Sequence, residues 1–462
     1  MKKIIILFLI LLCPVISYAT ILKKGPVTIE GYVKNETGWN MNENKFMKIL
    51  NVIDVKGQFR PNDYFSLYAH INKFWDSAYG RVGEYRQAKD AMYTNKAWHG
   101  LSWVREMYVD FFSDYVDIRA GKQIVTWGTT DGIRILDEYV NPLDWREFSL
   151  KAWNDIKVPM WMLKVEVAPT VNGSLQFLFI PDFEPDYWPA SGAPFEIGTT
   201  KKGMALVRAL KQAGFSVSLL EERPKETFEN AKFGVRWRDI LGNFEYTINY
   251  IYSWATKSPE RVSIIDPTNR TYTSIKKYHR VHVLGFSFAK TFVSGFLKGL
   301  TLRGEFVYAK DQPWAYLYKI PFLNNMEGLK WEKTDLFNYA IGLDKYIVTN
   351  WFVSFQFIQL IKSKKDVNGQ PFVWPSAGPM DKVETILTLK VSTDFFHERL
   401  KPSILIVYGD DNDWRISPET YIEISDHLTT KLGMHIFEGN GTGLHSQFNN
   451  KDEIYMELKY SF

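Results

Sequence analysis

The 462-residue chain has one cysteine, Cys13, and it lies in a stretch that reads as a removable leader. Lys2 and Lys3 precede an apolar run from Ile4 to Leu12, and Ser17-Tyr18-Ala19 puts small residues where a signal peptidase reads. These are the parts of a secretory signal peptide, with a run too short to span as a stable helix. The expected organisation is a 1–19 signal peptide and one mature unit, 20–462. A lipoprotein reading of Cys13 meets Leu12 where a lipobox has Gly, Ala or Ser. Without Cys13, disulfides, Cys-zinc sites and c-type haem attachment are excluded. Beyond residue 19 no apolar run approaches the ~20 residues of a transmembrane helix. There is no glycine-rich phosphate-binding motif and no Gly-x-Ser-x-Gly nucleophile turn, although His70, His279, His282, His435 and His445 are available. No enzyme activity, cofactor or metal site is therefore expected. Asp410-Asp411-Asn412-Asp413 offers oxygen ligands for calcium but lacks the Gly and distal Glu of a calcium loop, and reads as a solvated acidic tip. Formal charge is +4, falling to +2 once Lys2 and Lys3 are removed. That balance points to no nucleic-acid partner.

What is present is alternation. In the last stretch Ile454, Met456, Leu458, Tyr460 and Phe462 fall on one side of an extended chain, and Glu453, Tyr455, Glu457, Lys459 and Ser461 on the other. The apolar face runs to the final residue with no polar tail. Phe244, Tyr246, Ile248, Tyr250, Tyr252 and Trp254 repeat the design, as do Trp351, Val353, Phe355 and Phe357. Segments of about ten residues suit tilted membrane strands, and 16% aromatic content with moderate hydrophobicity suits a wall greased on one side only.

Connections alternate in length. Tight-turn residues stand at Pro61-Asn62-Asp63, Ser113-Asp114, Val171-Asn172-Gly173, Gln212-Ala213-Gly214, Leu241-Gly242-Asn243, Val348-Thr349-Asn350 and Ser425-Asp426-His427. Between them lie longer stretches: 76–102, 128–157, 182–202, 255–277, 310–334, 362–381 and 439–451. The expected fold is all-β, a transmembrane antiparallel barrel of about 20 strands, 18 being the next choice, with short periplasmic turns and long extracellular loops. Segments 205–210 and 282–288 carry apolar residues on both sides, which a bulge or a lumen contact would explain.

The polar face supplies lumen-lining candidates of both signs: Glu106, Asp110, Asp117, Arg119, Arg236, Glu245, Arg303, Glu305, Lys390, Glu423 and Lys431, with Lys164, Glu166, Arg238, Glu384, Glu457 and Lys459 beside them. Simple hairpin register sets Arg236 opposite Glu245 and Glu423 opposite Lys431. Singly these read as solvated wall residues; together they imply a hydrated lumen with no dominant sign. After Trp127-Gly128 the alternation stops, and the following loop mixes charge with Ile133, Ile135, Leu136, Val140 and Trp145. Apolar residues in a purely external loop would be wasted, so the segment is expected to fold inward as a constriction or to cap the rim. Its candidates are Trp127, Asp131, Arg134, Asp137, Asp144 and Arg146.

The closing strand, ending in Phe, resembles that of Gram-negative outer-membrane β-barrels. Gly121-Lys122-Gln123, Trp127-Gly128, Asp131, Asp137 and Asn141-Pro142-x-Asp144 resemble a large family of such barrels, mostly of unassigned function. The motif spans about thirty residues; the barrel pattern spans nearly the whole chain. The resemblance implies an outer-membrane location, porin-like passage of small-molecule solutes, contact with outer-membrane lipid, and homo-oligomers or a periplasmic export partner. Some relatives are associated with export of hydrophobic molecules, which makes hydrophobe transport one alternative. A non-conducting binding or scaffold barrel is another, with Trp314, Tyr316, Tyr318, Trp331 and Trp374 as its loop aromatics.

Overall fold

The computed structural model describes residues 22–89, 103–130, 132–151, 155–320, 326–373, 375–410 and 412–462. Eighteen antiparallel strands close on themselves, and a short strand, Leu22–Lys24, lies beside the first. The staves are β1 (Val27–Asn40), β2 (Lys45–Phe59), β3 (Phe65–Asp76), β4 (Val104–Phe111), β5 (Val116–Gln123), β6 (Met160–Val167), β7 (Ser174–Ile180), β8 (Lys232–Leu241) and β9 (Phe244–Trp254). They continue with β10 (Arg280–Thr291), β11 (Leu300–Ile320), β12 (Met326–Val348), β13 (Trp351–Lys362), β14 (Val383–Ser392), β15 (Leu400–Gly409), β16 (Asp413–Glu423), β17 (Leu428–Glu438) and β18 (Glu453–Ser461). β18 pairs with β1 from Asn40↔Glu453 to Tyr32↔Ser461, and Phe462 exchanges two 2.8 Å backbone hydrogen bonds with Gly31. The chain end is thereby tied into the ladder and the sheet has no open edge.

Alternation decides which side of the wall is greasy. On β9, Ile248 is 54% exposed while its neighbours Thr247 and Asn249 are 2% and 1% exposed. Apolar side chains outside and buried polar ones inside reverse the order of a water-soluble sandwich, as a lipid-facing wall requires. Short turns at one end alternate with long loops at the other. The long-loop end also carries a separate three-stranded sheet, Ser216–Glu222, Thr271–Lys277 and Glu260–Asp266, outside the barrel.

Several expectations are corrected. The strand number is eighteen, the second of the two counts. Residues 205–210 belong to the helix Gly198–Gln212, so Gln212-Ala213-Gly214 ends a helix inside a long loop and is no hairpin turn. Leu206, Val207 and Leu210 face one side of that helix and are buried with Tyr272 and Ile320. The 310–334 stretch is the rising end of β11 and β12, which pair out to Ile320↔Met326, and Trp314 on it is buried against the Val373 carbonyl. Trp374 lies outside the described residues. Segment 282–288 is a stave whose inner face is apolar because a loop packs against it. Register places Arg236 opposite Asn249 and Glu423 opposite Thr429. The two-residue turn Gly242-Asn243 closes directly on Leu241↔Phe244 and so moves every partner along.

Candidate functional site

The segment between β5 and β6, residues 124–159, turns into the barrel and is held there by its own polar frame. The Asp137 carboxylate accepts the backbone N–H of Trp127 (2.7 Å) and Gly128 (2.9 Å), and pairs with Lys157 Nζ at 2.7 Å. Asn141 accepts Val125 N–H (2.9 Å) and donates to the Val158 carbonyl (2.8 Å). The root is fixed by Glu106, which accepts Ile124 N–H at 3.0 Å and lies beside His70, itself 2.6 Å from Asp54. Burial lowers the Lys157 ammonium against the pull of Asp137. It also lowers the Arg134 guanidinium, to about 10.

Two kinds of contact dock this frame on the wall. Glu305 of β11 accepts the backbone N–H groups of Thr129 (2.5 Å), Thr130 (3.2 Å) and Leu136 (3.0 Å). Arg303 donates to the Thr129 carbonyl and pairs with Asp344 at 2.8 Å. The second contact is apolar: Trp127, Ile135, Leu136, Tyr139 and Val140 are buried in one cluster with Ile251, Val281, Val283, Val307, Leu336, Ile358, Ile386 and Val407 of the inner wall. Two wall glycines make the room. A Cβ on Gly234 would lie 2.7 Å from the Trp127 ring, and one on Gly285 2.8 Å from Leu136.

The loop thus packs by that cluster on one side of the lumen, and its far end reaches the other, where Phe148 is buried with Met47 and Phe437. Between its far edge and β1–β4 and β16–β18 lies a cavity of about 140 Å³, room for roughly ten waters or a small solute. A chain of ion pairs crosses it. Glu457 meets Lys34 (3.1 Å), Lys34 meets Glu36 (3.5 Å), Glu36 meets Lys48, and Lys48 meets Glu147 of the loop (2.7 Å). From there Lys151 links Glu147 (3.8 Å) to Asp144 (2.5 Å), which pairs with Arg146 at 2.6 Å. Burial pushes the Asp144 carboxyl up, but Arg146 and Lys151 more than reverse this and hold it well below the usual carboxylate range. Asp186, behind the loop, accepts Leu143 N–H (3.3 Å) and Trp145 Nε1–H (3.0 Å); burial raises it to about 6.

The remaining candidates are distributed around the wall. Asp110 faces Arg119 at 2.6 Å, and Asp117 lies opposite Glu166. Arg236 donates to the Thr126 carbonyl, and Glu245 pairs with Arg238 at 2.6 Å. Lys390 stands opposite Ser354, and Lys431 opposite Glu457 and 3.9 Å from Glu419. Asp131 lies outside the described residues. Of the acidic tip, Asp413 accepts the backbone N–H groups of His445 (2.9 Å) and Ser446 (2.6 Å), and among the described residues no cluster of metal-ligating side chains occurs. Sequence reasoning missed Lys34, Glu36 and Lys151 as cavity residues, and Lys48 as the partner of Glu36 and Glu147. The i, i+4 charges Glu147 and Lys151 at the loop's end were the available signal.

Residues 40–462 match a family described as "Protein of unknown function (DUF1302)". No curated protein matches the sequence. Among solved structures, Pseudomonas aeruginosa OccK3 (OpdO) is similar at TM-score 0.51 and 9% identity, over 94% of this chain and 95% of that one. Acinetobacter baumannii OccAB1 is similar at TM-score 0.51 and 10% identity, over 96% of this chain and 98% of that one. At such identities the likeness is one of porin-like barrel fold.

Proposed function

The chain belongs to the DUF1302 family, and on that premise we propose that it is an outer-membrane porin-like channel through which solutes pass down their own gradients. The observation that carries the reading is the division of the lumen. The loop is packed by apolar side chains on the wall of β9–β15 and borders a charge-lined cavity against β1–β4 and β16–β18. A lumen of this kind conducts if the cavity continues through the barrel. Both signs line it, so the reading commits to no ion selectivity. The loop acts as the constriction, and Lys34, Glu36, Glu147 and Lys151 border the path. The test is single-channel current through the refolded mature protein in a planar bilayer, repeated with residues 128–157 shortened. Steady conductance that rises on shortening supports the channel. Silence in both forms sinks it.

A second reading rests on the same cluster. Were the loop to swing away, the apolar inner wall of β9–β15 would be bared as a track for hydrophobic molecules. Uptake of an apolar dye into proteoliposomes, dependent on the loop and accompanied by no ion current, would favour that reading.

A further inference from the structure

From the outer face of the wall at its long-loop end we infer a binding site for a phosphorylated lipid headgroup, formed by Arg280, His282 and Lys310. The inference rests on the barrel spanning a membrane, and not on its conducting. Side chains that point outward on β10 read, from the long-loop end, Arg280, His282, Leu284, Phe286 and Phe288. On β11 the matching row reads Lys310, Tyr308 and Phe306, with His282 opposite Lys310, Leu284 opposite Tyr308, and Phe286 opposite Phe306. On both staves the apolar row ends at one height, where His282 stands opposite Lys310, and Arg280 lies two residues further out on β10. Below that height Leu284 is 54% exposed, a surface suited to acyl chains. At that height a headgroup must sit.

The cations are arranged for an anion. The Arg280 guanidinium lies 4.0 Å from the Trp254 ring centre and 4.6 Å from that of Tyr252, and donates to the Ala231 (2.9 Å) and Glu229 (3.0 Å) carbonyls. Five N–H groups in a planar fork leave donors to spare after those two bonds. His282 packs on Tyr252 with ring centres 4.7 Å apart, and its Nδ1 is 2.9 Å from the Tyr250 hydroxyl, which leaves Nε2 outward. Neither they nor Lys310 form an ion pair among the described residues. Other cations of the same end do: Arg223 and Lys276 with Glu221, Lys277 with Glu222, Lys257 with Glu138. Of the acids near this face, Asp335 is already engaged by Tyr308 Oη–H (2.9 Å) and Asp311 N–H (3.0 Å), and the exposed Asp311 and Glu229 form no ion pair with Arg280 or Lys310. Two cations and an imidazole N–H on a convex wall enclose no small ion. Continuity with the apolar band favours an anion that carries acyl chains.

The experiment is native mass spectrometry of the full mature chain released from detergent micelles, titrated with a diphosphoryl glycolipid and separately with its dephosphorylated form. The expected result is one retained diphosphoryl glycolipid, with affinity falling about tenfold in an Arg280→Gln/Lys310→Gln double variant, the order expected for losing charge-assisted bonds to phosphate. Lys310→Gln alone, at an exposed side chain, gives a smaller loss and covers the case in which the Arg280 variant fails to insert. Lys401→Gln, at the short-turn end, leaves binding unchanged. Equal affinity in native and variant forms, equal binding of the dephosphorylated lipid, or displacement by millimolar inorganic phosphate would each overturn the inference.

Discussion

Replacing Glu305 by leucine asks whether one carboxylate latches the loop. The side chain accepts three backbone N–H groups of the 129–136 turn and the Thr129 hydroxyl, and it is 1% exposed. Leucine keeps the volume and removes every acceptor. A buried donor left without a partner costs ~1–3 kcal/mol, so three would cost ~3–9 kcal/mol if all stayed dry. Lumen water can reach Thr129, and the apolar cluster still holds Leu136, so about 3 kcal/mol is the working figure. That shift raises the undocked population of the loop roughly a hundredfold. The barrel ladder is untouched, and the heat-dependent gel mobility of the folded barrel is expected to be that of the native protein. In a planar bilayer the variant shows larger conductance steps or excess open-channel noise, and amide exchange at Thr129, Thr130 and Leu136 speeds up together. An inserted variant with native conductance, noise and exchange refutes the latch.

Two further outcomes follow from the same packing. Gly285→Ala drives a methyl against Leu136, and overpacking of this kind costs ~1–3 kcal/mol; conductance noise rises, and adding Leu136→Ala restores the native trace if the contact is the cause. Asp186 gives a pH dependence with a definite sign. Burial raises its native value from 3.8 to about 6, so the docked state binds the proton more tightly than the unfolded chain does. Its contribution is fully present below about pH 4, is lost as pH rises towards 6, and amounts to ~3 kcal/mol. Exchange at the Leu143 amide should accelerate over that window, and Asp186→Asn should flatten the profile; a native profile in the variant would refute the assignment.

The wall was legible because a barrel stave must alternate at every position it spends in the membrane, and β9 and β18 do so from end to end. Segments that leave the wall obey other rules. Residues 198–212 bury Leu206, Val207 and Leu210 at helical spacing, which a period of two mistakes for a strand greasy on both faces; that misreading inflated the count to twenty. Val281 and Val283 mislead in the opposite direction. They are true stave positions, apolar inside because Leu136 and its neighbours arrive from a loop some 145 residues earlier in the chain. Alternation tells which side of the wall a charge occupies, and it cannot tell which loop will meet it. Lys48 and Glu147 were each visible in the sequence, but their 2.7 Å contact depends on where the loop ends.

The motif residues between Gly121 and Asp144 acquire a physical meaning from this arrangement. Trp127, Asp137 and Asn141 are buried, and their polar atoms are turned on the loop's own backbone, on Lys157 and on Gln176. Of the motif's described residues only Asp144 reaches the cavity. A residue whose hydrogen bonds are spent within the loop has none to give a solute, so the motif sets where the loop sits and contributes little to what passes. Selection then falls to the rest of the cavity wall, Lys34, Glu36, Lys431 and Glu457 on β1, β17 and β18 and Glu147 and Lys151 at the loop's end, all of them outside the motif. Two barrels with the same motif would therefore carry the same inward loop and could pass different solutes, whereas exchanging the inner faces of β1 and β18 between them should exchange their permeants without moving the loop.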